Sequence, residues 1–262
     1  MAAEIFLNSL GSGSEGNSFF IDTPAGALLI DQGFSRKELL ARMERSQCDP
    51  GRICGALLTH SHSDHCLGAR VLCDTLNIPL YATMSTVTHL AKRKNLPKAV
   101  RTFEAGASFE ISGIGVTTFP LPHDVDTVGF KISCGGISVG IATDLGCAGA
   151  NIRRELANCH ALVLESNYDR QMLMNSNRSL DLKRRICSFK GHLDNTYTAE
   201  LLPELLGDKT ALLLLAHVSR ECNDPEMIRQ ICAETLQKME RSDLHFEVLQ
   251  QHVPSEKFRV SC

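Results

Sequence analysis

The chain has 262 residues, 43% hydrophobic and 22% charged, values ordinary for a globular protein with a core and outside the range of disordered or fibrous chains. A formal net charge of −3 excludes a surface coated in positive charge for nucleic acid, although a local basic patch stays compatible with it. Eleven cysteines, an odd number with no C-x-x-C pair, exclude a disulfide framework and a Cys-type zinc module and point to a reducing, cytoplasmic setting.

The opening Met1-Ala-Ala-Glu-Ile-Phe-Leu7 has no basic segment followed by a long apolar one, so no signal peptide is expected. The first element is a strand over 4–9. Gly11-Ser-Gly-Ser-Glu-Gly16 then carries the letters of a dinucleotide-binding fingerprint, but that fingerprint must open a helix. Residues 17–22 alternate like a strand instead, so the glycines read as a tight turn. A third strand, 27–31, ends on Asp31, and a helix is expected over 35–46. Strand 53–59 runs into His60-Ser-His62-Ser-Asp64-His65, followed by helices over 64–77 and 85–95.

Strand 114–120 precedes Pro122-His123-Asp124. Strands 128–133 and 137–142 flank the hairpin signal Cys134-Gly135-Gly136. Ser138 lies in Gly136-Ile-Ser-Val-Gly140, the letters of a nucleophile elbow, yet mid-strand rather than at a strand-to-helix turn. Asp144 follows that strand, and a helix over 149–157 leads to strand 160–165, which ends on Glu165. Helices over 169–175 and 179–189 carry Lys183-Arg184-Arg185. Lys190-Gly191-His192-Leu193 enters a helix over 194–206, strand 211–216 ends at His217, and a helix over 224–239 follows. The longest apolar runs fall far short of the ~20 residues that span a bilayer, so no membrane partner is expected. No repeat or linker divides residues 1–262, which read as one domain with sheets inside and helices outside.

The 60–65 segment is the strongest chemical signal. Four potential ligands crowd into six residues at a strand end, and imidazole nitrogen with carboxylate oxygen suits borderline divalent ions. Four ligands so close in sequence cannot enclose a metal alone. His123, Asp144 and His217 each follow a strand; taken singly, each could be a satisfied polar residue. Together they have the placement that a site on one edge of a sheet requires.

The series H-x-H-x-D-H, then His123, Asp144 and His217, resembles the ligand set of the metallo-β-lactamase superfamily over nearly the whole chain. The resemblance implies an α/β fold, a four-layer αββα sandwich. It implies two divalent metal ions, Zn2+ or Mn2+ with Fe2+ as a further option. His60, His62 and His123 would hold one, Asp64, His65 and His217 the other, and Asp144 would bridge them. Asp31 matches the family's early strand-end Asp, which braces the ligand loop. Gly11 to Asn17, Leu164-Glu165-Ser166-Asn167 and Lys190-Gly191-His192-Leu193 narrow the resemblance to the WalJ/YycJ-type branch. Redox members of the superfamily carry Glu where this chain has His62 and are usually fused to a flavin domain, so hydrolysis is the implied chemistry.

Two such cations would share a water and lower its pKa toward neutrality, giving a bridging hydroxide that Asp64 and Asp144 would also orient. Glu165 and His192 are similar to the Glu–His pair of ribonuclease Z relatives that protonates the leaving group, a contribution of about 10²–10⁴-fold. The branch implies phosphodiester cleavage on nucleic acid, with exonuclease action on DNA. Lys183, Arg184, Arg185 and Lys190 are candidates for meeting phosphates, whereas Lys92-Arg93-Lys94 reads as a solvated helix face. With no Trp and three Tyr, base stacking would fall to Phe or a few Tyr, and contacts would go mainly to the backbone. The alternative is a hydrolase of small thioester, lactone or β-lactam substrates, which uses the same metals and has less need of His192. A non-enzymatic metal binder would call for a degenerate ligand set, and none of the seven positions is lost. The subunit number is not set by the sequence.

Overall fold

The computed structural model describes residues 4–261; Met1–Ala3 and Cys262, the last of the eleven cysteines, lie outside it. Its strands are β1 (Glu4–Gly11), β2 (Ser18–Thr23), β3 (Gly26–Ile30), β4 (Ile53–Leu57), β5 (Leu80–Ala82), β6 (Val100–Thr102), β7 (Ser108–Ile111), β8 (Ile114–Leu121), β9 (Thr127–Cys134), β10 (Ile137–Ala142), β11 (Ala161–Glu165), β12 (Leu212–Ala216), β13 (His245–Val248) and β14 (Phe258–Ser261). Its helices are α1 (Arg36–Arg45), α2 (Ser63–Cys66), α3 (Ala69–Leu76), α4 (Met84–Lys92), α5 (Ala150–Leu156), α6 (Arg170–Asn175), α7 (Leu180–Ile186), α8 (Asn195–Leu205) and α9 (Pro225–Lys238).

The strands form two seven-stranded sheets, ordered β14-β1-β2-β3-β4-β5-β6 and β13-β12-β11-β10-β9-β8-β7. Each half of the chain repeats one scheme, an antiparallel meander followed by parallel strands joined through helices. Parallel neighbours require such crossovers, because no short turn returns the chain to the same edge.

Alternation explains the layers. In β11, Ala161 and Val163 face the inter-sheet core with Leu28, Ile30, Phe130 and Leu214. Leu162 and Leu164 point the other way, into a layer with Leu156, Leu201 and Ile228 from α5, α8 and α9. Ala27 and Leu29 of β3 likewise meet Leu39, Met43, Leu72 and Leu90 from α1, α3 and α4. Helices therefore cover the outer face of both sheets, as the αββα expectation requires. Helix starts follow capping chemistry: Ser35, Thr83, Asp169, Ser179 and Asp194 each accept a hydrogen bond from the backbone N–H three residues on.

Three expectations are corrected. The helix read over 64–77 is two helices, α2 and α3, broken at Leu67–Gly68. Gly68 lies so close to the chain that a Cβ there would sit 2.2 Å from the Phe34 carbonyl oxygen. Strand 53–59 ends at Leu57, because Thr59 N–H donates to the Asp31 side chain. Five short strands, β5, β6, β7, β13 and β14, were not anticipated. The hairpin at Gly135-Gly136 is present, with both glycines at positive φ (57° and 87°) as a primed turn demands. Among the described residues no helix is long and apolar enough to cross a membrane.

Candidate metal centre

Strands β3 and β4 of one sheet, and β8, β10, β11 and β12 of the other, bring their carboxyl ends to one edge of the sandwich. Ligand sites in sheet proteins gather at such edges. The inward alternation of Ala161 and Val163 delivers Glu165 there fully buried. Asp31, Asp144 and His217 follow their strands in the left-handed region, at φ 59°, 62° and 55°. That conformation costs about 1–2 kcal/mol per non-glycine residue, and it turns each side chain inward from the strand end.

The seven side chains singled out in sequence converge. Donor atoms of His60, His62 and His123 lie within 4.8 Å of one another, as do those of Asp64, His65 and His217. Asp144 lies between the groups, with Oδ2 3.0 Å from His65 Nε2 and Oδ1 3.6 Å from His217 Nε2 and 3.8 Å from His123 Nε2. His60, His65, His123, Asp144 and His217 are buried, while His62 and Asp64 face the opening.

The outer atoms of these imidazoles are already engaged. His65 Nδ1 donates to Asp31 Oδ2 at 2.7 Å, and Thr59 Oγ1 lies 2.9 Å from His60 Nδ1 while holding Asp31. His123 Nδ1 donates to the Gly191 carbonyl at 3.1 Å, and His217 Nδ1 to Glu165 Oε1 at 2.8 Å. The Nε2 atoms of His60, His123 and His217 are buried without a hydrogen-bond partner. Buried polar atoms are rarely left so; two of them, on His60 and His123, belong to one donor group and the third, on His217, to the other, and an imidazole–carboxylate donor set of this kind suits borderline divalent cations.

Charge points the same way. Burial works against protonation of His65, but the Asp144, Asp31 and Asp64 carboxylates outweigh it and raise its pKa well above the ordinary value. His217 is raised to about 10, with burial opposing and Asp144 the chief attraction. Burial, then the charge of His65, lowers His60 well below its ordinary value. The carboxylates that draw protons to His65 and His217 equally draw cations.

Glu165 is the hub behind the site. Oε1 accepts from Nδ1 of both His192 (2.9 Å) and His217 (2.8 Å), and Oε2 accepts from the N–H groups of Leu145 and Leu193. Burial opposes its ionisation, yet the charge and hydrogen bond of His192, then those of His217, hold its pKa below the usual value. His192 leans over a cavity of about 200 Å³ whose wall also includes Asp64, Asp144, Arg178, Arg185 and Lys190.

Other sequence readings divide. Ser138 is mid-strand, its N–H donating to His160 Nδ1, so no elbow exists. The Gly11–Gly16 segment is a turn with structural work. Ser12 Oγ accepts from the His217 N–H, Asn17 Oδ1 accepts from Ser12 Oγ, and Asn17 N–H donates to the Asp64 carbonyl. Lys183 is unavailable to a ligand, because its buried Nζ donates to the carbonyls of Met174 and Ser176. Arg184 pairs outward with Asp181, leaving Arg185 and Lys190 on the cavity wall. Arg93 is more than a solvated cation, since it donates to the Ser61 carbonyl in the ligand loop.

Some participants were missed. Asp124 Oδ1 lies 3.3 Å from His62 Nε2 and 3.2 Å from His123 Nε2, and its position beside His123 was the available signal. Asn167 Nδ2 holds the His217 carbonyl at 2.6 Å. Arg178 reaches the cavity from the loop after α6, and nothing in its local sequence marks it.

Against known proteins, a beta-lactamase superfamily domain model matches residues 27–218. The chain is 31% identical over 223 residues to exodeoxyribonuclease WalJ of Streptococcus pneumoniae serotype 2, covering 83% of each. It is 30% identical over 239 residues to exodeoxyribonuclease YycJ of Bacillus anthracis, covering 89% of this chain and 90% of that one. Among solved structures, the metallo-beta-lactamase fold protein YhfI from Bacillus subtilis superposes with a TM-score of 0.73 at 14% identity, over 97% of this chain and all of that one. The chain belongs to the β-lactamase superfamily, as a metal-dependent hydrolase of the metallo-β-lactamase fold.

Proposed function

We propose that the protein is a dinuclear phosphodiesterase that removes nucleotides from DNA ends. One observation carries this reading: His192 is held by Glu165, which also holds His217 of the metal cage. A phosphodiester with an alkoxide leaving group needs a proton donor beside the metals. His192, with Nδ1 held by Glu165, lines the cavity, and its Nε2 would serve that purpose. The names of the two bacterial relatives support the nucleic-acid substrate.

In this reading His60, His62 and His123 would hold one cation, Asp64, His65 and His217 the other, and Asp144 would serve both. Such ions supply Lewis acidity at the phosphoryl oxygens and a water acidified toward neutral pH. Arg178, Arg185 and Lys190 orient the anionic phosphates from the cavity wall. His192 gives its Nε2 proton to the leaving oxygen, and the Glu165 carboxylate balances the charge of the imidazolium beforehand. The free thiols of the described cysteines fit a reducing cytoplasm.

Changing the leaving group tests the assignment. His192→Ala is expected to lower kcat on DNA by about 10²–10⁴-fold. It should lower turnover of bis-p-nitrophenyl phosphate far less, because p-nitrophenolate departs without a proton. Equal losses on both substrates, or a thioester turned over faster than either, would overturn the reading.

A further inference from the structure

A second cavity, of about 570 Å³, opens on the far side of His192 and shares that residue with the metal pocket. Its size falls within the range of small-ligand sites, roughly 300–1,000 Å³. The chain is poor in aromatic residues, with three Tyr and no Trp, yet Tyr168 and Tyr197 both line this cavity together with Phe189 and Arg170. Nothing in the chemistry assigned above uses them.

Phe189 lines the second cavity, next in the chain to Lys190 of the metal pocket. Phe189 is 66% exposed, while its backbone is held. A Cβ on Gly146 would meet the Phe189 carbonyl carbon at 2.4 Å, so the two strands of chain touch. Gly191 N–H donates to the Ser188 carbonyl, and His192 N–H to that of Ile186. The next residue, Lys190, faces the metal pocket and keeps its ammonium 6.0 Å from the Phe189 ring centroid. A largely exposed apolar ring thus stands on a held segment of backbone, one residue from a cation that lines the metal pocket. This is the arrangement a polynucleotide uses, since phosphates alternate with stackable bases.

We propose that this cavity takes the nucleobase adjoining the cleaved phosphate, stacked on Phe189 and walled by Tyr168, Tyr197 and Arg170. The inference rests on the nuclease reading above and adds to it. A base enters the cavity only unpaired, so the substrate is a single-stranded end, and recognition is by stacking rather than by base identity.

The test uses the metal-loaded full-length protein and a cleavage-resistant, phosphorothioate-linked single strand with 2-aminopurine walked along its terminal positions. Fluorescence quenching at one position is expected in the wild type. Phe189→Ala should weaken binding of that strand roughly 5- to 150-fold, the range of one base–aromatic stack, and Phe189→Trp should restore it. An otherwise identical strand with an abasic residue at that position should bind wild type and Phe189→Ala alike. No quenching at any position, or equal losses on intact and abasic strands, overturns the inference. Quenching is read without turnover, so it decides the cavity's role separately. Failure of the nuclease reading would appear as wild-type protein that cleaves neither DNA nor bis-p-nitrophenyl phosphate.

Discussion

Glu165 accepts four hydrogen bonds, two imidazole and two backbone, with no solvent exposure. An amide in its place offers one acceptor oxygen and brings two donors of its own, so at least one buried N–H loses its partner, at about 1–3 kcal/mol. Glu165→Gln also frees His192 and His217 to turn. Residues that orient metal-binding imidazoles typically contribute 10–100-fold in metal affinity. The variant should therefore bind metal roughly 10–100-fold more weakly in a competition titration against a chromogenic chelator, and lose kcat on DNA as well. Unchanged affinity would show that His217 holds its orientation without Glu165.

Three chain segments meet at the mouth of the site because one of them has no side chain. A Cβ on Gly33 would fall 1.7 Å from the Asp64 carbonyl oxygen and 2.5 Å from the Asn17 nitrogen, two backbone atoms joined by a 2.7 Å hydrogen bond. Gly33→Ala must push α2 and its Asp64–His65 pair outward. It should lower stability by at least the ~1–3 kcal/mol of ordinary overpacking and reduce metal content, measured by melting and elemental analysis. Gly149→Ala, with open space at the added carbon, is the control: it should leave metal content unchanged and cost only what a poorer cap of α5 costs, about 1 kcal/mol or less. The sequence made some elements plain and hid others. Helices such as 224–239 showed several turns of periodicity, and β11 was legible as a continuous apolar run. Strand β6 has three residues, two of them exposed, and β13 has four, only one of them buried; segments so short hold no period to read. The site shows the same division. Candidate ligands were legible because each follows an apolar strand. Arg178 and the bracing roles of Asn17 and Asn167 depend on contacts between segments far apart in the chain, which local pattern does not encode.

Across the whole molecule, buried thiols set an alkaline limit. Burial pushes Cys73 and Cys232 up to about 12 from an ordinary 9.0. In the unfolded chain they ionise near their ordinary value, so their stabilising effect is complete below that pH and is lost as pH rises toward 12. Each should subtract on the order of 1 kcal/mol per pH unit within that window. Urea unfolding at pH 8 and pH 10 should show the drop, and the Cys73→Ala, Cys232→Ala double variant should flatten it; an identical slope in both proteins would assign the effect elsewhere. The return of β14 to pair with β1, Glu4 opposite Ser261, bears on how the molecule is made. On a ribosome adding ~5–20 residues per second, β1 waits roughly 10–50 s for its outer neighbour. During that interval it is an open edge able to pair with another nascent chain. The first sheet is begun before the second and completed after it, so escape from aggregation during synthesis depends on what shields β1 until β14 emerges.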